Sequence, residues 1–221
     1  HGASELWRLS WQEPLQHHAH AVVHADLADK GVVRYLAQYP LDQIMLTTLL
    51  ASEGAILVHA CGGITCAGGI AFAGVSGAGK STLTRLLADT PQTRFFSDDR
   101  LFIRRRDSQE AAAGASSGDQ RYRLYGTPWA GDAQVARNEH TNLDALCFLT
   151  QASSTRLCKL SPSRALERLL PVTTLPWFDA QAIGAALDAC AVLIESVACY
   201  ELQFRPERTG IEQVLRELSD G

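Results

Sequence analysis

A short glycine-rich run carries the clearest chemical signal in this sequence. The run is Gly74-Val75-Ser76-Gly77-Ala78-Gly79-Lys80-Ser81-Thr82, and it matches the pattern G-x-x-x-x-G-K-[ST]. In such a loop, backbone N–H groups surround phosphate oxygens, while the lysine and the hydroxyl reach the terminal phosphates and Mg²⁺. The spacing therefore predicts a site for a nucleoside triphosphate and its metal ion. The predicted nucleotide-binding residues are Gly74, Ser76, Gly77, Ala78, Gly79, Lys80, Ser81 and Thr82.

Two adjacent carboxylates form the second candidate for chemistry. Asp98 and Asp99 follow the aromatic run Thr93–Ser97, which reads as a strand. In P-loop proteins an acid at the end of a second strand holds Mg²⁺, directly or through water. Paired acids offer two roles, because one can hold the metal shell while the other accepts the proton of an attacking hydroxyl. The alternative is an Asp-Asp turn that does no chemistry.

The residues around the glycine-rich loop predict the elements that position it. Residues 69–73 form an apolar run typical of a buried strand, and residues 82–88 have a helical pattern, so the loop joins a strand to a helix. The apolar run 55–60 predicts another strand, which glycines 62–63 and 68–69 return to the loop strand as an antiparallel neighbour. His59, at the end of that strand, either approaches the phosphate site or is a packed, hydrogen-bonded histidine.

Two further segments are a loop that contains glycine, proline and tryptophan and a connecting segment rich in small residues. Gly126, Thr127, Pro128 and Trp129 combine a glycine, a rigid proline and a large aromatic ring, which predicts either a substrate-contacting loop or a tight turn with Trp129 over the core. Residues 107–120 have the composition of a flexible excursion between two arginine-bearing strands. Those arginines bind an acidic partner or phosphate, or they form a solvated strand face.

The rest of the chain alternates between helical and strand patterns. No internal repeat or linker is visible, so we expect one α/β domain over residues 5–221, with its nucleotide core at about 50–150 and a mixed sheet flanked by helices. Residues 1–4 are read as an expression remnant or a processed end. Further helices are expected at 41–50, 162–170, 179–197 and 211–218, and further strands at 101–106, 121–125, 143–149, 155–160 and 199–204.

Composition limits the partners and the compartment. The net charge of -4 argues against a protein that binds nucleic acid by general electrostatics. No apolar run reaches membrane-spanning length and no signal peptide opens the chain, so we expect a cytoplasmic protein without a membrane partner. The 6 cysteines lack paired C-x-x-C spacing and are expected to be reduced and mostly buried. Histidines 17, 18, 20 and 24 predict a solvated or substrate-facing patch, with metal binding as the alternative.

Together these motifs resemble the HPr kinase/phosphorylase family, in its short HPr-kinase-like branch. The features that match are His59 about 20 residues before Lys80, the glycine-rich loop, the Ser97-Asp98-Asp99 strand end and the segment Tyr125–Trp129. The resemblance covers roughly residues 50–218. It implies a fold related to phosphoenolpyruvate carboxykinase, and transfer of the γ-phosphoryl group of ATP to a serine hydroxyl of a protein or precursor peptide.

The resemblance also implies individual roles. By position, Asp98 resembles the catalytic acid-base residue of the family and His59 the histidine that supports it, while Ser81 and Asp99 match the Mg²⁺ shell. Full-length members are oligomeric, which raises a homo-oligomer as a further option. The family's glutamate-bearing Arg-Gly motif is not present in that form, and Glu139 is the remaining candidate for a second metal carboxylate.

Two other functions fit the same residues. The first is a kinase for a small-molecule alcohol, or a carboxykinase-like enzyme. The second is a nucleotide-binding switch without transfer chemistry. The chain has no N-K-x-D sequence, which argues against a GTPase version of the switch, and the intact Asp98-Asp99 pair argues against a catalytically inactive one.

Overall fold

The computed structural model describes residues 7–11, 19–23, 25–30, 41–106 and 122–220. By its internal contacts the chain divides into two units, residues 1–50 and 51–221. Histidines 17, 18 and 24 of the predicted histidine patch lie outside the described residues, as do the excursion 107–120 and Arg121. None of the helices within the described ranges is long and apolar enough to cross a membrane.

The first unit contains a two-stranded antiparallel sheet. Strand β1 (Trp7–Trp11) pairs with β2 (Ala19–Val23), and a short helix α1 (Ala25–Asp29) follows. The longer helix α2 spans Leu41–Ser52, as its apolar periodicity predicts. Its threonines turn their hydroxyls back to the helix backbone, since Thr47 and Thr48 both donate to the carbonyl of Ile44.

The second unit is built on a mixed sheet of ten strands. The strands are β3 (Ala55–Thr65), β4 (Gly68–Ala73), β5 (Arg94–Ser97), β6 (Arg100–Arg105), β7 (Tyr122–Gly126), β8 (His140–Asn142), β9 (Ala145–Gln151), β10 (Arg156–Lys159), β11 (Thr173–Thr174) and β12 (Ala198–Phe204). Their order is β10-β12-β9-β4-β3-β6-β7-β8, and β5 and β11 also pair with β3. Strands β4, β9 and β12 are parallel to one another, while the other pairs are antiparallel.

Helices cover both faces of this sheet, because its central strands carry apolar side chains on both sides. On one face Leu146 and Phe148 pack with Leu169 and Leu193, and on the other Phe72 and Phe204 pack with Leu83 and Val214, among further buried residues. The prediction of an α/β chain with a mixed sheet flanked by helices is confirmed. The helices are α3 (Lys80–Leu87), α4 (Pro162–Leu169), α5 (Ala180–Ser196) and α6 (Arg208–Asp220), with a 3-10 turn at Leu170–Val172.

The structure corrects the expected return between β3 and β4. The two strands are antiparallel as predicted, but β3 continues to Thr65 and the turn is at residues 66–67. Gly62 and Gly63 lie inside β3, at positions where only glycine fits. A Cβ on Gly62 would come 2.2 Å from the Ile70 carbonyl oxygen. A Cβ on Gly63 would come equally close, 2.2 Å, to the carbonyl oxygen of Arg94. These glycines let two neighbouring strands approach β3 rather than forming a turn.

The same correction moves His59 from a strand end to the interior of β3. Residues 55–59 of β3 pair with β6, and residues 60–65 pair with β4. His59 is the last residue of the first stretch, and its carbonyl accepts a hydrogen bond from the Gly74 N–H at 3.2 Å. His59 therefore lies beside the start of the glycine-rich loop.

Candidate active site

The glycine-rich loop joins the end of β4 to the first residue of α3. Gly77 and Gly79 adopt left-handed backbone angles, with φ of 79° and 106°. A Cβ on Gly79 would also come 2.6 Å from Cζ of Phe204, so a larger residue would strain this position twice. No described side chain caps the start of α3, which leaves its first N–H groups available to an anion.

The topology brings the predicted site residues to one edge of the sheet. Strands β4 and β5 are both antiparallel to β3, so they run in the same direction, and β9 is parallel to β4. The loop after β4, the acids after β5 and the end of β9 consequently lie at a common edge. In open α/β sheets, ligands bind outside the carboxyl ends of strands in this way.

A cavity of about 350 Å³ opens at that edge. We call it the first cavity. Six of the eight predicted nucleotide-binding residues line it, together with His59 and both acids of the Asp98-Asp99 pair. Gly74 and Ala78 lie instead on the other side of the loop. The lining residues are His59, Ser76, Gly77, Gly79, Lys80, Ser81, Thr82, Arg85, Asp98, Asp99, Gly131, Asp132 and Gln151.

Lys80 holds a buried positive charge at the floor of the first cavity. Its Nζ donates to the carbonyl oxygens of Gly74, at 2.7 Å, and of Val75, at 3.1 Å. Burial lowers the pKa of its ammonium group. The ammonium forms no ion pair with a described carboxylate, and its charge can attract an anion that enters the cavity.

Asp98 is buried and anchors a loop. Its Oδ1 accepts hydrogen bonds from the backbone N–H groups of Gly131, at 2.8 Å, and of Val135, at 3.0 Å. Its Oδ2 accepts one from the N–H of Ala133 at 2.5 Å. A carboxylate offers about four lone-pair directions, and three are taken here. Asp98 thus fixes the loop of residues 131–135, which forms one wall of the first cavity.

Asp99 is held by two basic side chains. Nε2 of His59 lies 3.1 Å from Oδ1, and Nε of Arg100 lies 3.3 Å from Oδ2. The hydrogen bond from His59 is the main reason that the pKa of Asp99 lies below its usual value, and the charge of Arg100 adds to it. The family resemblance associates His59 with Asp98, whereas the structure pairs it with Asp99. The two acids form the bend between β5 and β6, where the Asp98 carboxylate accepts hydrogen bonds from residues 131–135 and the Asp99 carboxylate contacts His59.

The donor set fits a magnesium ion that is shared with phosphates. Ser81 and the ionised Asp99 line the same cavity, and no cluster of three or more His, Cys, Asp or Glu side chains exists among the described residues. Mg²⁺ is commonly bound by one or two carboxylates together with phosphate oxygens and water. Glu139 does not line this cavity, because its carboxylate pairs with Arg94 at 2.5 Å.

The segment Gly126–Trp129 is hydrogen-bonded to residues of β5 and β6. Gly126 ends β7, the hydroxyl of Thr127 donates to the Arg100 carbonyl at 2.8 Å, and the carbonyl of Trp129 accepts from Ser97 at 3.3 Å. The Trp129 ring packs edge-on against Phe102, with ring centroids 6.1 Å apart. Pro128 is exposed. None of the four is among the residues that line the first cavity, whose wall is formed a few residues later by Gly131 and Asp132.

Sequence reasoning missed Arg85, Asp132 and Gln151 in the first cavity. Arg85 donates to the Asp132 carbonyl at 2.8 Å and forms no ion pair with a described residue. It could have been found, because it follows Ser81 and Thr82 by one helical turn. Gln151 donates to the Gly77 carbonyl at 2.7 Å, and its place at the end of a parallel strand was also a usable signal. Nothing local in the sequence places Asp132.

Comparison with known proteins does not assign a family. No model of a known protein family matches the chain, and a search of curated proteins found no match either. The functional interpretation therefore depends on the residues of the site.

Proposed function

We propose that this protein is a Mg-ATP-dependent kinase that transfers the γ-phosphoryl group to a serine hydroxyl of a protein or precursor peptide. The observation that carries the proposal is that Lys80, Ser81 and Asp99 line one cavity at the start of α3. A buried ammonium, a helix N-terminus and a metal-type carboxylate are the groups that phosphoryl transfer requires in one place.

Phosphate binding is assigned to the loop and the start of α3. Gly77, Gly79 and Lys80 line the first cavity at the start of α3, where their N–H groups and the positive end of the helix dipole would favour a bound phosphate. The Lys80 ammonium is already oriented by its two carbonyl acceptors, so it loses little freedom on meeting a phosphate. Arg85 adds a second cation that no described carboxylate neutralises.

Ser81 and Asp99 are the residues that would hold Mg²⁺. When bound, the ion would neutralise charge on the β- and γ-phosphates. The hydrogen bond from His59 orients Asp99, and the charge of Arg100 also favours its ionised form, which suits a metal ligand. In this assignment His59 is a positioning residue that acts through Asp99.

Asp98 is assigned as the acceptor of the hydroxyl proton. The serine oxygen bonds to the γ-phosphorus, the bond between that phosphorus and the ADP oxygen breaks, and the hydroxyl proton passes to the carboxylate. Three N–H donors leave Asp98 one open lone-pair direction that can accept the hydroxyl proton. The loose transition state of phosphoryl transfer releases this proton late, so positioning of the carboxylate matters most.

The test is phosphoryl transfer to defined peptides. Purified protein, Mg-ATP and matched peptide libraries that present serine, threonine or tyrosine are incubated, and the products are identified by intact mass and fragmentation. We expect phosphate on serine with the unmodified protein and none with Lys80→Met. If the protein binds ATP but phosphorylates only members of a metabolite panel, the acceptor is a small molecule. If it modifies neither class, the kinase proposal is wrong.

A further inference from the structure

We infer that the base and ribose of the nucleotide bind in a second cavity, which lies on the opposite side of the glycine-rich loop from the first. The inference rests on the proposed function and specifies where the other end of its ATP lies. The second cavity has a volume of about 410 Å³. Its walls are the loop itself, the end of β9, and the end of α4 with the 3-10 turn that follows.

The order of strand ends sets the direction of the nucleotide. Strands β5, β3, β4 and β9 lie side by side, with Asp99 after β5, the loop after β4 and Gln151 at the end of β9. A terminal phosphate that shares a metal ion with Asp99 must therefore lie toward β5. The rest of the nucleotide then extends across β4 toward β9, where the second cavity opens.

The two cavities meet at a shared boundary. Ser76, Gly77 and Gln151 line both of them. The side-chain amide of Gln151 fixes this boundary by donating to the Gly77 carbonyl at 2.7 Å. One ligand that crosses this boundary can thus place its phosphates in the first cavity and its nucleoside in the second.

The lining of the second cavity suits a flat, mostly apolar group with polar edges. Val75 lines this cavity together with Pro171 and Val172. Its side chain is apolar and 55 % exposed, whereas the other residues of the glycine-rich loop suit a phosphate anion. Phe148 contributes from β9. Ligand pockets of a few hundred Å³ typically combine such apolar walls with a few polar groups.

Glu167 supplies a polar group that can recognise the edge of a base. One of its oxygens accepts a hydrogen bond from Arg164 at 2.6 Å, while the other accepts none from the described residues. A carboxylate oxygen is a suitable acceptor for the exocyclic amino group of a nucleobase. The neighbouring Arg168 is already engaged, because it donates to the Leu149 carbonyl and to the Thr150 hydroxyl.

A peptide acceptor is the competing occupant, and its chemistry places it elsewhere. The attacking serine and the leaving ADP oxygen lie roughly in line on opposite sides of the γ-phosphorus, so a serine beside Asp98 approaches from the side away from the nucleoside. The second cavity consequently suits the nucleoside and not the acceptor.

Two matched variants on α4 test the inference. Glu167→Trp places a large ring in the second cavity, whereas Arg164→Trp places the same ring one turn earlier, at a position that lines neither cavity. Both variants remove the same Arg164–Glu167 ion pair. Binding of ADP and of inorganic pyrophosphate, each with Mg²⁺, is measured by calorimetry on the full chain.

We expect Glu167→Trp to weaken ADP binding by about tenfold or more and to leave pyrophosphate binding unchanged. Arg164→Trp should bind both ligands as the unmodified protein does. The unchanged pyrophosphate affinity also shows that Glu167→Trp is folded at the loop. If Glu167→Trp binds ADP as tightly as Arg164→Trp does, this inference is wrong while the proposed function stands. If the unmodified protein binds neither ligand, the proposed function fails and the inference fails with it.

Discussion

Nε2 of His59 lies 3.1 Å from Oδ1 of Asp99, beside the bend that joins β5 to β6. The same histidine accepts a hydrogen bond from Gly74 through its carbonyl oxygen. One residue therefore connects the acid after β5 to the loop after β4. Together with Arg100 it holds the Asp99 carboxylate ionised and in a fixed orientation.

Replacing His59 tests whether it acts through Asp99. His59→Phe removes the donor, so we expect the Mg²⁺ concentration for half-maximal ATP binding to rise several-fold. His59→Gln keeps a donor and should restore most of the affinity. The measurement is a Mg²⁺ titration at fixed ATP, with metal-free ADP binding as the control for the loop. If His59→Phe and His59→Gln raise the required Mg²⁺ concentration equally, His59 does not position Asp99 through its hydrogen bond.

Replacing Lys80 tests the phosphate site. Lys80→Met keeps an unbranched side chain of similar length and removes the buried ammonium. Hydrogen bonds to charged groups contribute roughly 1.5–3 kcal/mol, so the affinity for pyrophosphate and for ATP should fall by about tenfold or more.

The matched control for Lys80 is Lys159→Met on β10, which removes an equal charge from an exposed position. Its pyrophosphate affinity, measured by calorimetry, should equal that of the unmodified protein. Similar losses in the two variants would show that net charge, and not the loop, governs binding.

Much of the site could be predicted from sequence because its signals are local. The loop pattern at residues 74–82, the strand before it and the Asp98-Asp99 strand end each occupy a few consecutive residues. Local patterns of this kind directly express backbone geometry and hydrogen-bonding needs. The strand–loop–helix order and the mixed sheet follow from them.

The pairings within the site could not be predicted, because they depend on contacts between distant residues. His59 pairs with Asp99 because Asp99 lies in the connection between β5 and β6, both of which pair with β3, and its carbonyl accepts a hydrogen bond from the Ala60 N–H at 3.0 Å. The Asp98 carboxylate accepts hydrogen bonds from N–H groups of residues 131–135, which lie more than 30 positions later in the chain. No turn motif in that segment predicts the contact. The sequence predicts a turn at the glycines inside β3, because the close approach of the Ile70 and Arg94 carbonyls is visible only in three dimensions.

The buried thiol of Cys61 predicts a loss of stability at alkaline pH. Burial raises its pKa from 9.0 to about 12. The unfolded chain therefore releases this proton at a lower pH than the folded chain, and the free energy of unfolding falls as the pH rises above about 9. The stabilisation that comes from the protonated, buried thiol is present in full below about pH 9 and is lost as the pH rises toward about 12.

Urea unfolding of two alanine variants measures this contribution. Between about pH 8 and pH 10 the free energy of unfolding should fall less steeply in Cys61→Ala than in the unmodified protein. The two slopes should differ by at most ~1.4 kcal/mol per pH unit. Cys158→Ala removes an exposed thiol and should leave the slope of the unmodified protein unchanged. Equal slopes in all three proteins would show that Cys61 titrates alike in the folded and unfolded chains.

Asp98→Asn separates the anchoring role of Asp98 from its proposed chemistry. The new amide group places a donor opposite one of three N–H donors, and an unsatisfied buried N–H costs roughly 1–3 kcal/mol. We therefore expect lower stability in urea as well as lost phosphoryl transfer. Asp132→Asn removes an equal charge from the same loop at an exposed position and should change stability by less than about 0.5 kcal/mol.

Gly131→Ala isolates the anchor, because its Cβ would come 2.8 Å from Oδ2 of Asp98 while the carboxylate itself is retained. This variant should lose stability and retain part of its transfer activity, since Asp98 can still accept a proton once the loop has shifted. If Asp98→Asn loses transfer at unchanged stability, the three N–H bonds contribute little and Asp98 acts in chemistry alone. If Gly131→Ala is as inactive as Asp98→Asn, holding the loop of residues 131–135 is the whole function of the Asp98 carboxylate.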